Sequence, residues 1–343
     1  MRKQRLRVAH IVPTMSCGGV EVGISRSYAE LCRHFDYRIF HVLPAPGILD
    51  CGQRPVMQLL RDLLLGRWRP DVVVTSLSWS HPIGHLCRCL GIPWVAFFHS
   101  AGFSHGRDAF SQRWAWRWAN HRLADSAATR LAMSEYGQHD CRLIPYRFME
   151  TADSQGAWAE RSIDLIWVGR SHPDKRPDLF VAFWQAVMRL IPRGHAVMVV
   201  AGEVPEGLTE LAAAGGWQIT TYQSLDNRAV RELLGQARFY VLLSDYEGMS
   251  MSTIEAVSAG CVPVVRPVGE IPAYVCAESG FHVDDITDAG LADMAARVVT
   301  LWQDADHAKI MTDRAQAALE SFPDYVSTFM RAMREYSCQT RSL

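Results

Sequence analysis

At 343 residues the chain exceeds one ordinary hydrophobic core, so two domains are the better expectation. Its 49% hydrophobic and 21% charged residues are those of a globular protein in water, and no apolar run approaches the roughly 20 residues that span a bilayer. The nine cysteines stand singly, except that one residue separates Cys87 from Cys89; without a CxxC pair or a spacing with histidine they argue against zinc and for reduced thiols in a cytoplasmic protein.

The net charge of −1 conceals a polarity: residues 1–150 hold 19 Arg plus Lys against 11 Asp plus Glu, a balance of +8, which leaves −9 for residues 151–343. A basic N-terminal half suits an anionic partner such as a membrane surface, a phosphorylated lipid or an acidic saccharide. Nucleic acid is not expected, because no recognition motif accompanies the charge.

The opening "MRKQRLRVAHIVP" is basic and then apolar, but the apolar part is too short for a signal sequence and reads as a first buried strand. "YRIFHVLP", "DVVVTSL" and "PWVAFFH" follow as strands, with weaker candidates at "RLAMSE" and "RLIPYR". Helical patterns such as "EVGISRSYAELCRHF" and "RPVMQLLRDLLLGR" separate them. The second half repeats this grammar with "IDLIWVG", "HAVMVVAG", "WQITTY", "FYVLLS" and "VPVVRP". Strands apolar on both faces and alternating with helices form parallel sheets covered on both sides, and two such sets predict two doubly wound α/β domains. The polar stretch "FMETADSQGAWAERS" marks the join: residues 1–150 form an N-terminal domain, residues 151–322 a second, and residues 323–343 a closing helix. That helix opens near Pro323 and Asp324 and carries an apolar stripe at Val326, Phe329 and Met330.

Ligands of open α/β sheets bind beyond the carboxyl ends of the strands, so the residues just after each strand are the informative ones. Gly18 and Gly19 follow the first strand, as either a tight turn or a close backbone approach to a phosphate at a helix N-terminus. His99 ends the "PWVAFFH" strand, either capping it or facing a ligand. In "VGRSHPDKRPDLF", Arg170 and Lys175 precede a helix that begins near Pro177, as a solvated basic loop or a diphosphate site. In "SDYEGMSMSTIEAVSAG", Glu247 and Glu255 bracket seven small or uncharged residues. "STIE" matches a capping box, with Ser252 as N-cap and Glu255 at N3, which leaves Glu247 and the backbone N–H groups between them unexplained. Carboxylates suit the vicinal hydroxyls of a sugar or ribose, and helix N–H groups suit a diphosphate between two such polyols.

In this order the four motifs resemble the retaining glycosyltransferases of family four, which have the GT-B fold of two Rossmann-like domains facing a cleft. The resemblance implies that Glu255 binds ribose hydroxyls, that Glu247 contacts the donor sugar, and that backbone N–H groups at Gly248, Met249 and Ser250 meet the sugar or diphosphate. It implies that Arg170 and Lys175 neutralise the leaving diphosphate, that Gly18 and Gly19 lie against the phosphates, that His99 faces the donor sugar, and that the closing helix crosses back to the N-terminal domain. It further implies a UDP- or GDP-sugar donor, a glycan or lipid-linked acceptor, retention of configuration, and no metal or other cofactor. "IPYRFM" stands where the family often has Pro-Asn-Gly, and Met249 and Ser250 stand where many members have an aromatic residue and glycine. The only DxD, Asp304 to Asp306, falls in the helical tail.

The stretch "RWAWRWANHR" mixes arginine and tryptophan as a headgroup interface does, and predicts peripheral contact with the cytoplasmic face of a membrane; a core stripe through Trp114 and Trp118 explains it equally well. Two other functions compete with sugar transfer. A sugar-nucleotide epimerase or hydrolase needs an acid/base set, for which only His99 offers itself, and a non-catalytic binding protein has no need of Arg170 and Lys175.

Overall fold

The computed structural model describes residues 5–15, 18–44, 51–103, 105–148, 157–191, 193–204 and 219–339. The chain divides into two units, one of residues 1–148 with 323–343 and the other of residues 149–322. Most of the polar join, residues 149–156, lies outside the described residues.

The first unit is built on seven strands: β1 (Arg7–Val12), β2 (Asp36–His41), β3 (Arg54–Pro55), β4 (Val72–Ser76), β5 (Trp94–Phe98), β6 (His121–Ala124) and β7 (Arg142–Leu143). They lie in the order β3-β2-β1-β4-β5-β6-β7, and every paired neighbour is parallel. β4 and β5 are buried along their whole length, as strands with helices on both faces must be. The helix Tyr325–Gln339, from the chain's end, belongs to this unit. Tyr325 donates its N–H to Arg147 O at 2.8 Å and stacks its ring on Tyr146 at 4.8 Å; Tyr336 stacks on His121 at 3.9 Å, and Glu335 pairs with Arg142. Asp324 caps this helix by accepting from Ser327 N at 2.8 Å. Its buried stripe runs through Tyr325, Phe329, Ala332, Met333 and Tyr336, while Val326 and Met330 are half-buried at its margin.

The second unit carries β8 (Ile163–Arg170), β9 (Ala196–Ala201), β10 (Ile219–Gln223), β11 (Ala237–Leu242), β12 (Val262–Val265) and β13 (Phe281–His282), in the order β10-β9-β8-β11-β12-β13, again parallel. Each unit is thus doubly wound, and its strand order reverses once, between β1 and β4 in the first and between β8 and β11 in the second. Loops leaving neighbouring strands on either side of a reversal diverge to opposite faces and open a crevice, which is where such sheets bind ligands.

One predicted strand is a helix. "RLAMSE" lies largely in the helix Ala127–Ser134, whose N-cap Ser126 accepts from Thr129 N at 3.0 Å. The sixth strand is instead His121–Ala124, at the end of the stretch read as a headgroup interface.

Candidate functional site

In the second unit the loops leaving β8 and β11 flank the strand reversal and are tied to each other. β8 ends at Arg170, a short 3₁₀ turn spans Pro173–Lys175, and the helix Pro177–Met188 begins after Arg176, which sits in the left-handed region at φ 45°. Across the reversal, Asp245 N donates to Asp174 O at 2.8 Å, and the Tyr246 hydroxyl donates to the Asp174 carboxylate. Arg266 also reaches Asp245, at 2.7 Å. At the centre, Lys175 Nζ lies 2.6 Å from Glu247 Oε1. The glutamate side chain is only 6% exposed and the lysine 20%, so this pair is largely withdrawn from water. Arg170, the last residue of β8, is exposed, and its side chain makes no hydrogen bond or ion pair among the described residues.

Gly248, Met249 and Ser250 follow Glu247 and are buried, and their backbone N–H groups have no hydrogen-bond partner among the described residues. Three neighbours hold this loop from behind: Glu270 N donates to Gly248 O at 3.0 Å, the Tyr274 hydroxyl donates to Met249 O at 2.8 Å, and Gly269 packs its Cα against the Glu247 and Gly248 carbonyls. Gly269 has φ 63°, and a Cβ there would stand 2.7 Å from Gly248 O, so glycine is required on both conformational and steric grounds. With the carbonyls tied back in this way, the N–H groups lie on the opposite side of each planar peptide, at the start of the helix Met251–Ser258, an arrangement that can receive an anion.

The capping box is not formed. The N-cap is Ser250, in the left-handed region at φ 52°, two residues before Ser252. Ser250 Oγ pairs with Thr253 Oγ1 at 2.8 Å, and Ser252 accepts from the Tyr240 hydroxyl at 2.7 Å. Glu255 therefore lies in the second turn, not the first, and its Oε1 accepts from Asn227 Nδ2 at 2.9 Å. Capping no longer accounts for this buried carboxylate. Asn227, Gly269 and Tyr274 were not singled out from the sequence; Gly269 and Tyr274 lie in "VGEIPAYV", where a Val-Gly-Glu turn after a strand was the available signal.

The first unit holds three of the predicted residues, His99, Gly18 and Gly19. His99 is half-buried just after β5, its Nε2 lying 2.9 Å from Ser76 Oγ at the end of β4. Burial, reinforced by the neighbouring His10 and His81, holds its pKa well below the ordinary histidine value, so the ring is neutral. Gly18 is the N-cap of the helix Gly19–His34 and is buried, whereas Gly19 is exposed. The carboxylate of Glu21 lies where a Cβ on Gly18 would go, so this helix pole already has an acidic neighbour of its own. Asp304 and Asp306 make no joint site: Asp304 is an N-cap, accepting from His307 N at 3.0 Å. Among the described residues no three His, Cys, Asp or Glu side chains cluster as metal ligands.

Two doubly wound units, with ion-paired loops at a strand reversal and a ring of unpartnered N–H groups, define the GT-B class of sugar-handling folds. The "Glycosyl transferase 4-like domain" family model matches residues 7–149, and the "Glycosyl transferases group 1" model matches residues 162–304. The chain belongs to the family-four type of glycosyltransferases. A GDP-mannose:cellobiosyl-diphosphopolyprenol alpha-mannosyltransferase of Xanthomonas oryzae pv. oryzae is 29% identical over 124 residues, a match that spans 34% of this chain and only 31% of that protein. Among solved structures, the Anabaena protein HepE in complex with UDP-glucose superposes with a TM-score of 0.76 at 15% identity, over 98% of this chain and 100% of that one. The sucrose-phosphate synthase of Thermosynechococcus elongatus superposes with a TM-score of 0.75 at 17% identity, over 99% and 100%. At such identities these two likenesses speak for the fold alone.

Proposed function

We propose that the protein transfers a sugar from a UDP- or GDP-sugar to a glycan or lipid-linked saccharide, with retention of configuration and without a metal. The observation that carries this reading is the Lys175–Glu247 pair beside the unpartnered N–H groups of Gly248, Met249 and Ser250. Lys175, Arg170 and those N–H groups supply preorganised positive potential for a departing diphosphate, the largest contribution in most reactions of this kind. Glu247 is assigned to the donor sugar, Glu255 to the ribose hydroxyls, and His99 to a sugar hydroxyl. Retention follows if the acceptor hydroxyl attacks from the face the diphosphate leaves and gives its proton to that phosphate, which requires no protein base. The mannosyltransferase relative takes, by its name, GDP-mannose as donor and a diphosphopolyprenol-linked sugar as acceptor, which supports a nucleotide-sugar donor and a lipid-linked acceptor here. Thermal shift with UDP, GDP, ADP and their sugar conjugates tests the donor, because a ligand of the folded state raises its stability by mass action. Stabilisation by none of them defeats the reading, and a strict need for added Mg²⁺ in turnover defeats its metal-free form.

Membrane contact remains part of this proposal, on a wider surface that takes in only the exposed side of the predicted stretch. In "RWAWRWANHR" Trp116 is fully buried, Trp114 packs on His85 at 4.6 Å between ring centres, and Arg122 is buried with its guanidinium on Trp116 O and Arg117 O. The helices Val56–Leu64 and His81–Cys89 share one core cluster, and the second also packs on Gly106–Trp118. Together they show solvent Met57 at 67%, Leu64 at 87% and Phe110 at 73% exposure, interspersed with exposed Arg61, Arg107, Arg113 and Arg117. Of their two acids, Asp62 is buried and Asp108 is half-buried and bonded to Ser78. Apolar and cationic groups without exposed carboxylates suit an anionic bilayer surface. The chain is expected to sediment with phosphatidylglycerol vesicles and not with phosphatidylcholine, and Leu64→Glu to abolish this. If Leu64→Glu instead converts a dimer to a monomer, the surface joins two copies and the membrane assignment fails.

A further inference from the structure

Four neighbouring strands of the first unit carry an unbroken line of polar side chains across the strand reversal. Tyr37 Oη on β2 lies 2.6 Å from His10 Nδ1 on β1, His10 Nε2 lies 2.8 Å from Ser76 Oγ on β4, and Ser76 Oγ lies 2.9 Å from His99 Nε2 after β5. Tyr37, His10 and Ser76 are all buried, and Phe329 of the closing helix stacks on the His10 ring at 6.1 Å. The line ends at His99 Nδ1, a buried atom with no hydrogen-bond partner among the described residues.

Counting hydrogens fixes the direction of every bond. Burial raises the Tyr37 pKa well above its ordinary value, so the phenol keeps its hydrogen, and its acceptor among the described residues is His10 Nδ1. Burial lowers the His10 pKa to about 3, so that ring is neutral and carries its single hydrogen on Nε2, from which it donates to Ser76. Ser76 has one hydroxyl hydrogen, and the acceptor left to it is His99 Nε2. The neutral His99 must then carry its own hydrogen on Nδ1, the unpartnered end. The opposite direction leaves the buried Tyr37 hydroxyl without an acceptor, a loss that an interior does not tolerate readily.

We propose that Tyr37, His10 and Ser76 are positioning residues that lock His99 in the Nδ1–H tautomer, making it a permanent donor to an oxygen acceptor, a hydroxyl of the transferred sugar. The choice of sugar as the acceptor rests on the sugar-transfer reading, whereas the tautomer does not. The relay explains the use of two histidines in succession. A histidine alone interchanges its tautomers, and a serine alone points its hydrogen either way, but a phenol at the far end leaves a single satisfied pattern.

Nitrogen-15 NMR of the full chain with labelled histidine reads each ring's protonated nitrogen directly. The expected spectrum has His99 protonated on Nδ1 and His10 on Nε2, and His99 protonated on Nε2 overturns the relay. Tyr37→Phe, two side chains away from His99, is expected to turn His99 into a mixture of tautomers, as is Ser76→Ala, while Ser76→Thr keeps the single form. A His99 signal unmoved by Tyr37→Phe also overturns the relay, because a merely structural tyrosine leaves it unmoved. Turnover of the same folded variants is expected to fall about tenfold for Tyr37→Phe and Ser76→Ala and to recover in Ser76→Thr. A mixed tautomer with unchanged turnover refutes the assignment of the sugar hydroxyl and leaves the relay standing.

Discussion

Lys175→Ala is the substitution on which structure and chemistry make separable demands. The Nζ–Oε1 separation is 2.6 Å and the glutamate is 6% exposed, so removing the lysine strands a carboxylate that water barely reaches. Breaking one side of a buried pair costs about 3–5 kcal/mol, and the 20% exposure of Lys175 argues for the lower figure, about 3 kcal/mol. A domain of the size of residues 149–322 shifts its Tm by about 2–4 °C per kcal/mol, which makes a fall of about 6–12 °C in that unit's transition. In the double variant Lys175→Ala/Glu247→Gln no charge is stranded, and calorimetry is expected to show stability within about 1 kcal/mol of the parent. Turnover, followed as nucleotide release, behaves differently: both variants are expected to lose about a hundredfold or more, as when one preorganised donor to a developing anion is removed. If the double variant melts as low as the single one, the pair is not the source of the stability. If it recovers turnover along with stability, Lys175 serves the fold and not the leaving group.

Glu255→Gln keeps the Asn227 contact within reach and is expected to cost about 1 kcal/mol or less of stability while weakening UDP or GDP binding at least tenfold by calorimetric titration, and unchanged nucleotide affinity removes the ribose assignment. Gly269→Ala forces a Cβ onto a positive-φ backbone and against the Glu247 and Gly248 carbonyls; it is expected to destabilise the second unit by about 1–3 kcal/mol and to slow turnover by shifting the loop, with chemical denaturation and initial rates as the checks. Acid is expected to weaken the first unit in particular. Burial holds His10 at about 3 and His81 at about 4, so between these values and the ordinary 6.5 the unfolded chain binds protons that the folded one refuses. Stability is therefore full above about pH 6.5 and falls as pH drops, by about 2 kcal/mol for each ring between pH 7 and pH 5. Urea titrations of the His10→Asn and His81→Asn variants at the two pH values test this, and a slope unchanged by either substitution refutes it.

The tripeptide Arg-Leu-Ala occurs twice, at residues 122–124 and 130–132, and shows where a reading of the sequence reaches its limit. The first copy is the strand β6 and the second is helical, although their local propensities are identical. Ser126 separates their fates, because its hydroxyl accepts from Thr129 N and starts a helix between them. The long strands were legible because burial on both faces demands a run of apolar, largely β-branched residues; the helix Pro177–Met188 carries an equally long run at residues 179–184, and Pro177 at its start is what marks it as a helix. Two-residue edge strands such as Arg54–Pro55 and Phe281–His282 impose no such demand and left no pattern. The same distinction governs the site. Glu247, Glu255, Arg170 and Lys175 each follow a legible strand, so their place at the sheet's edge was open to inference, but their partners were not. Lys175 and Glu247 lie 72 positions apart, and Asn227 and Glu255 lie 28 apart. What brings the first pair together is the strand order, which seats β8 beside β11 with β9 and β10 on the far side, and strand order is set by packing and handedness rather than by any one segment. The capping box failed for a related reason. Ser250 takes the left-handed conformation with the carbonyls before it held by Glu270 and Tyr274 of another loop, so the helix start depends on residues 15 and 19 positions beyond the end of the STIE motif.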